Sequence, residues 1–127
     1  MHADEQSLND LSGCVIGRAF TVLNALGAGF AEKIYENALA HELRKAGFAV
    51  VQQRGVTVMY DSIVAGEFTV DLLVEDALLV ELKAAHALNN DHRGQCLNYV
   101  KATGLRLCLL LHFGNPRLEI KRIAHGL

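Results

Sequence analysis

From Leu8 to Leu26 apolar residues return at Leu8, Leu11, Val15, Ile16, Ala19, Phe20, Val22 and Leu23, a broad stripe at helical spacing that Gly27 brings to an end. Gly27-Ala28-Gly29 interrupts the pattern, and residues 30–46 resume it as a second helix stopped by Gly47. At the helical angle Ile34, Tyr35, Ala38, Leu39, Leu43 and Ala46 share one face, and Glu32 falls inside that arc, close to Leu39 and Leu43. A carboxylate on a core-facing arc needs a partner, either a nearby Lys or Arg or a metal ion.

From Phe48 the period changes to two. Residues 48–53 and 56–60 read as strands, Asp61-Ser62 as a turn, and residues 67–74 and 77–83 as two further strands. Residues 91–103 form a helix ended by Gly104, residues 105–113 a near-continuous apolar strand, Gly114-Asn115-Pro116 a turn, and residues 118–123 an edge strand. The predicted order is α-α-β-β-β-β-α-β-β, which fits a mixed sheet covered by helices, an α/β or α+β sandwich.

With 127 residues, 51% hydrophobic and 20% charged, the chain can bury one core but not two, so 1–127 reads as a single domain. The apolar runs at 72–74, 77–80 and 107–111 are too short to cross a bilayer, and residues 1–10 are polar and acidic, unlike a signal peptide. A cytoplasmic protein with no membrane partner is expected. The three cysteines, Cys14, Cys96 and Cys108, form no Cys-x-x-Cys pair and read as small buried apolar residues. A net charge of −2 and the lack of a basic run argue against tight autonomous binding of duplex nucleic acid. Arg44, Lys45 and Arg54, and separately Arg117, Lys121 and Arg122, are the candidates for local basic patches. Short or single-stranded substrates, a homodimer or a basic partner protein would each make up for the missing positive charge.

Three ionisable residues interrupt apolar strands: Asp71 within 68–74, and Glu81 and Lys83 after 77–80. Alternation puts Glu81 and Lys83 on one face, with Leu82 pointing away. Asp71 joins them only in one register. A three-residue turn at Glu75-Asp76-Ala77 pairs Val74 with Leu78 and so sets Asp71 opposite Glu81, whereas a two-residue turn puts the carboxylates on opposite faces. Facing carboxylates about 5 Å apart at Cβ repel unless a cation lies between them. Hard oxygen ligands suit Mg2+ or Mn2+, and Lys83 would orient the attacking water or stabilise charge on the phosphate. The competing reading is a surface ladder of Asp–Lys and Glu–Lys ion pairs at a strand end. On the next helix Gln95 and Tyr99 lie four residues apart on one face, with His92 nearby, placed to hydrogen-bond a phosphate, a base or the lysine. A zinc site from His86, His92 and His112 matches no common ligand spacing, and these histidines are expected at the surface.

Taken together these residues resemble the GxxExxY proteins of the PD-(D/E)xK nuclease superfamily. The first motif stands as Gly29-Phe30-Ala31-Glu32-Lys33-Ile34-Tyr35, the second as Asp71 with Glu81-Leu82-Lys83, and a Gln-x-x-x-Tyr element like that of RecB-type nucleases as Gln95-Cys96-Leu97-Asn98-Tyr99. The likeness runs from about 15 to 123 and includes Leu-His-Phe-Gly at 111–114. Val70 stands where the superfamily name has proline. The resemblance implies a restriction-endonuclease-like core with Asp71 and Glu81 as divalent-metal ligands and Lys83 as the catalytic lysine. It also implies that Glu32 points into the same site as a further acidic ligand or water-positioning group, and that Gln95 and Tyr99 line it and touch substrate or Lys83. The function so implied is a Mg2+- or Mn2+-dependent nuclease that hydrolyses phosphodiester bonds of DNA, or of RNA, with a metal-activated water. The alternative is a non-catalytic module that keeps the fold and binds nucleic acid or protein.

Overall fold

The computed structural model describes residues 5–84, 90–114 and 116–126. The chain runs α1 (Glu5–Leu26), α2 (Glu32–Lys45), β1 (Val50–Tyr60), β2 (Ile63–Val74), β3 (Leu78–Lys83), α3 (Asn90–Thr103), β4 (Leu107–His112) and β5 (Glu119–Ala124). The strands form one sheet in the order β1-β2-β3-β4-β5, parallel between β3 and β4 and antiparallel elsewhere. This is the expected mixed sheet flanked by helices. The segments 48–53 and 56–60 are joined into the single strand β1, which passes through Gln53 in a left-handed conformation at φ +52°.

Helices α1 and α2 cover one face of the sheet, packing Val15, Ala19, Leu23, Leu39 and Leu43 on Leu72, Val74, Leu78, Val80, Leu82, Leu107, Leu109 and Leu111. On the other face Cys96, Tyr99 and Val100 of α3 pack on Val70, Leu73, Leu79, Cys108, Leu110 and Ile123. All six residues of β4 are buried, as an apolar strand covered on both sides must be. Its His112, expected at the surface, is therefore interior, with Nδ1 3.7 Å from Glu119 on β5. Cys96 and Cys108 are buried as expected, whereas Cys14 is exposed on α1. His86 lies outside the described residues. Among the described residues, no helix is long and apolar enough to cross a membrane.

The α1–α2 connection fixes how α2 sits. The Tyr35 hydroxyl donates to Gly27 O at 2.6 Å and accepts from the Phe30 N–H at 3.1 Å, and its ring stacks on Phe113 at 4.7 Å. Gly27 closes α1 with φ +74°, its N–H donating to Leu23 O, a backbone shape that suits glycine. With Tyr35 anchored in the core, the buried arc of α2 is Tyr35, Glu36, Leu39, Ala40 and Leu43. That arc is rotated from the one the periodicity predicts. Ile34 turns outward and is 43% exposed, and the buried carboxylate is Glu36, not Glu32.

Both hairpins follow from their turn residues. Asp61 and Ser62, at φ +49° and +64°, make the two-residue β1–β2 turn between the paired Tyr60 and Ile63. Between β2 and β3, Glu75-Asp76-Ala77 forms the expected three-residue turn, with Ala77 N–H donating to Val74 O and Val74 paired with Leu78. Only Leu72, Leu73 and Val74 of β2 pair with β3, so the rest of the β1–β2 hairpin extends beyond the sheet as a two-stranded ribbon.

Candidate active site

The β2–β3 ladder ends at the pair Leu72 and Val80, and one step further Asp71 stands opposite Glu81. Here the carboxylates replace the ladder. The Asp71 N–H donates to Glu81 Oε1 at 3.2 Å, and the Leu82 N–H donates to Asp71 Oδ2 at 2.9 Å. Alternation along β3 carries Leu79, Glu81 and Lys83 to the α3 side, since Leu78, Val80 and Leu82 pack under α1 and α2. Lys83 Nζ lies 3.4 Å from Glu81 Oε2 and keeps 18% of its side chain exposed. The Tyr99 hydroxyl donates to the same oxygen at 3.5 Å, and its ring stacks on Phe68 at 4.6 Å.

Glu81 is 5% exposed. Burial, and next the charge of Asp71, raise its carboxyl from 4.5 to about 7, while the bond from the Asp71 main chain and the Lys83 ammonium pull it down and do not prevail. The Tyr99 phenol is held well above its usual range by burial and by the charge of Glu81, so it stays protonated and donates. Behind the pair, the Cys108 thiol is pushed up by its hydrogen bond with Cys96 and by burial, which keeps it inert.

Of the residues singled out in the sequence, Asp71, Glu81, Lys83 and Tyr99 come together. Gln95 is exposed on α3 and lines, with Val58, Phe68, Asn98, Tyr99 and Lys101, a groove of about 830 Å³ between the ribbon and the helix. Glu32 stands outside this group, exposed on the first turn of α2. One turn later on α2, the buried Glu36 is linked to Asp71 through Gln53. It accepts from Lys33 Nζ at 2.9 Å, Gln52 Nε2 at 2.7 Å and Gln53 Nε2 at 2.7 Å, and Gln53 Nε2 also reaches Asp71 Oδ1 at 3.1 Å. Sequence reasoning missed Glu36 and Gln53. The available signal was that Glu36 shares a helical arc with Tyr35, Leu39, Ala40 and Leu43, and that the strand period breaks just after Gln53. The basic candidates are partly tied elsewhere: Arg44 to Gln52 and Val50 O, Lys45 to Glu42, and Arg122 to Ser12 and Asn9.

The donor chemistry fits a hard divalent cation. Asp71 and Glu81 present carboxylate oxygens, and Glu81 loses its proton reluctantly because it is buried and lies beside the Asp71 charge. Among the described residues no group of three His, Cys, Asp or Glu side chains is arranged to hold a metal. Two carboxylates suit an ion that keeps most of its waters, as Mg2+ does, and not a closed zinc centre.

The family described as the PD-(D/E)XK nuclease superfamily matches residues 9–123. Among solved structures, that of SSO0001 is similar with a TM-score of 0.59 and 13% identity, over 76% of this chain and 51% of that one, so the chain spans about half of that protein's length. An alkaline exonuclease (LHK-Exo) from Laribacter hongkongensis is similar with a TM-score of 0.55 and 16% identity, over 99% of this chain and 73% of that one. No curated protein sequence matches the chain. At such identities the structural likeness is one of fold. The family match spans most of the sequence, and on that basis the chain belongs to the PD-(D/E)XK nuclease superfamily.

Proposed function

We propose that the chain is a divalent-metal-dependent nuclease that hydrolyses phosphodiester bonds of DNA, with Asp71 and Glu81 holding Mg2+ or Mn2+ and Lys83 as the catalytic lysine. One observation carries this reading: two carboxylates meet where the β2–β3 ladder ends, one of them raised to about 7, with a partly exposed ammonium 3.4 Å away. Nucleases of this superfamily are typically divalent-metal dependent. A divalent ion bound there supplies a water of lowered pKa and draws charge from the phosphate.

The chain's own residues divide the remaining work. Lys83 brings a partly exposed positive charge to the rim of the site, placed to orient water and to offset charge that builds on the phosphate oxygens. Tyr99 donates to the same Glu81 oxygen that pairs with Lys83, so that oxygen keeps a partner when Lys83 turns toward substrate. Glu36, fully partnered by Lys33, Gln52 and Gln53, is the acid that α2 contributes, in the place first expected of Glu32. Gln95 and Tyr99 line the groove in which the substrate strand would lie, beside the stacked Phe68. The net charge of −2 favours short or single-stranded DNA over long duplexes. The motif at Gly29, Glu32 and Tyr35 supports a place among the GxxExxY proteins, and three free thiols suit a reducing cytoplasm.

The test is cleavage of linear single- and double-stranded DNA and of RNA with Mg2+ or Mn2+, comparing wild type with Lys83→Ala and Asp71→Ala. Each substitution is expected to lower the rate by about 10²- to 10³-fold, as loss of a group that stabilises transition-state charge does. Activity that survives both would remove these residues from the mechanism.

A further inference from the structure

Gln53 occupies an unusual place. It lies within β1 at φ +52°, a left-handed conformation that is costly for a residue with a long side chain. On either side the hairpin pairs regularly, Gln52 with Leu72 and Arg54 with Val70, which leaves Gln53 facing Asp71. The alternation of both strands changes phase at this point. Val50, Leu72 and Val74 pack under α1 and α2, whereas Val56, Phe68 and Val70, of the same parity, pack with α3. The left-handed residue sets its amide between two carboxylates, 2.7 Å from Glu36 Oε1 and 3.1 Å from Asp71 Oδ1.

Glu36 is a fixed post. It is 3% exposed, and its second oxygen is held by Lys33 and Gln52. Asp71 is gripped at both oxygens, by Gln53 on one side and by the Leu82 N–H on the other. We infer that Gln53 is a positioning residue: its amide ties Asp71 to the buried Glu36 and fixes the plane of the Asp71 carboxylate. The strained backbone at Gln53 is retained for this geometry. The meaning of that plane for metal binding rests on the nuclease reading; the positioning itself does not.

Gln53→Gly separates the side chain from the backbone. Glycine adopts the left-handed conformation freely, so this variant removes the amide and relieves the strain together. Two quantities are read in wild type and variant: hydrogen exchange at the Leu82 amide, which reports the Asp71 carboxylate without any metal, and Mn2+ affinity by calorimetry. With the melting temperature equal to wild type or higher, Leu82 exchange is expected to rise by about tenfold or more as that local bond opens. Mn2+ affinity is expected to fall by about 10- to 100-fold, as when a ligand loses its orienting partner. Unchanged Leu82 exchange overturns the inference, and unchanged Mn2+ affinity overturns its extension to metal binding. So does a Gln53→Gly protein that fails to fold, since the side chain would then be holding the fold and not the carboxylate. Should the wild type itself take up no Mn2+, the nuclease reading falls, while Leu82 exchange still decides the role of Gln53.

Discussion

The main chain of Asp71 donates to the side chain of Glu81 at 3.2 Å, so two groups that repel as anions are also tied together by a hydrogen bond. The tie holds Glu81 where it is buried, and burial with the Asp71 charge raises its carboxyl to about 7. In the unfolded chain the same group titrates near 4.5. Between these values the folded state keeps a proton that the unfolded state has released, so stability falls as pH rises through the window from 4.5 to about 7 and levels off above it. The loss attributable to Glu81 is up to about 3 kcal/mol. Urea unfolding of metal-free wild type and Glu81→Gln at several pH values measures it. Wild type should lose stability across the window relative to the variant; parallel curves would place the titration elsewhere.

Metal should reverse that penalty. A divalent ion that binds only the folded site at one hundred times its dissociation constant adds about 2.7 kcal/mol. Thermal melts with and without Mn2+ at pH 7.5 should show an upward shift in wild type that EDTA abolishes and that Asp71→Asn lacks. An equal shift in Asp71→Asn would move the ion away from this carboxylate.

Glu32 and Glu36 lie one helical turn apart and should behave differently. Glu36→Gln replaces a buried acceptor of bonds from Lys33, Gln52 and Gln53, and is expected to cost about 1–3 kcal/mol and to lower the cleavage rate. Glu32→Gln, on the exposed first turn, should stay within about 0.5 kcal/mol of wild type. Unfolding and cleavage measured on both variants decide which acid belongs to the site. A greater loss of cleavage in the Glu32 variant would restore the reading first drawn from the motif.

Tyr35→Phe keeps the ring on Phe113 and removes the hydroxyl that bridges Gly27 and Phe30. The expected cost is about 1–2 kcal/mol, seen as a melting temperature lower by about 3–6 °C. Because Tyr35 sets the rotation of α2, the same variant should weaken Mn2+ binding only if that rotation relaxes. Calorimetry beside the melt separates the two effects.

The parts of the site that were legible in the sequence are those fixed by local rules. Asp71, Glu81 and Lys83 stand out because charges interrupt apolar strands, and the turn length at Glu75-Asp76-Ala77 sets the register that makes the carboxylates face each other. The mixed sheet and the buried β4 follow from runs of apolar residues. What was not legible depends on contacts between distant segments. The rotation of α2 is set by Tyr35 reaching Gly27 and Phe113, which a helical wheel does not contain, and it buries Glu36 while leaving Glu32 exposed. The left-handed Gln53 merges two apparent strands into one, because a break in alternation looks the same in sequence whether the strand stops or changes faces. His112 reads as a surface residue until the parallel neighbour β3 and the edge strand β5 are placed on its two sides.

The phase change at Gln53 gives the molecule two separate addressing schemes along one hairpin. Residues 50–52 and 72–74 are locked to the sheet by the helices beneath them, whereas the side chains beyond Arg54 and Val70 are assigned to their faces afresh. A residue inserted or deleted in the distal ribbon would exchange the side chains offered to the groove beside α3 and leave Asp71 where it is. On the proposed nuclease reading, the surface offered to a substrate can thus drift in sequence while Asp71 and Glu81 keep their register.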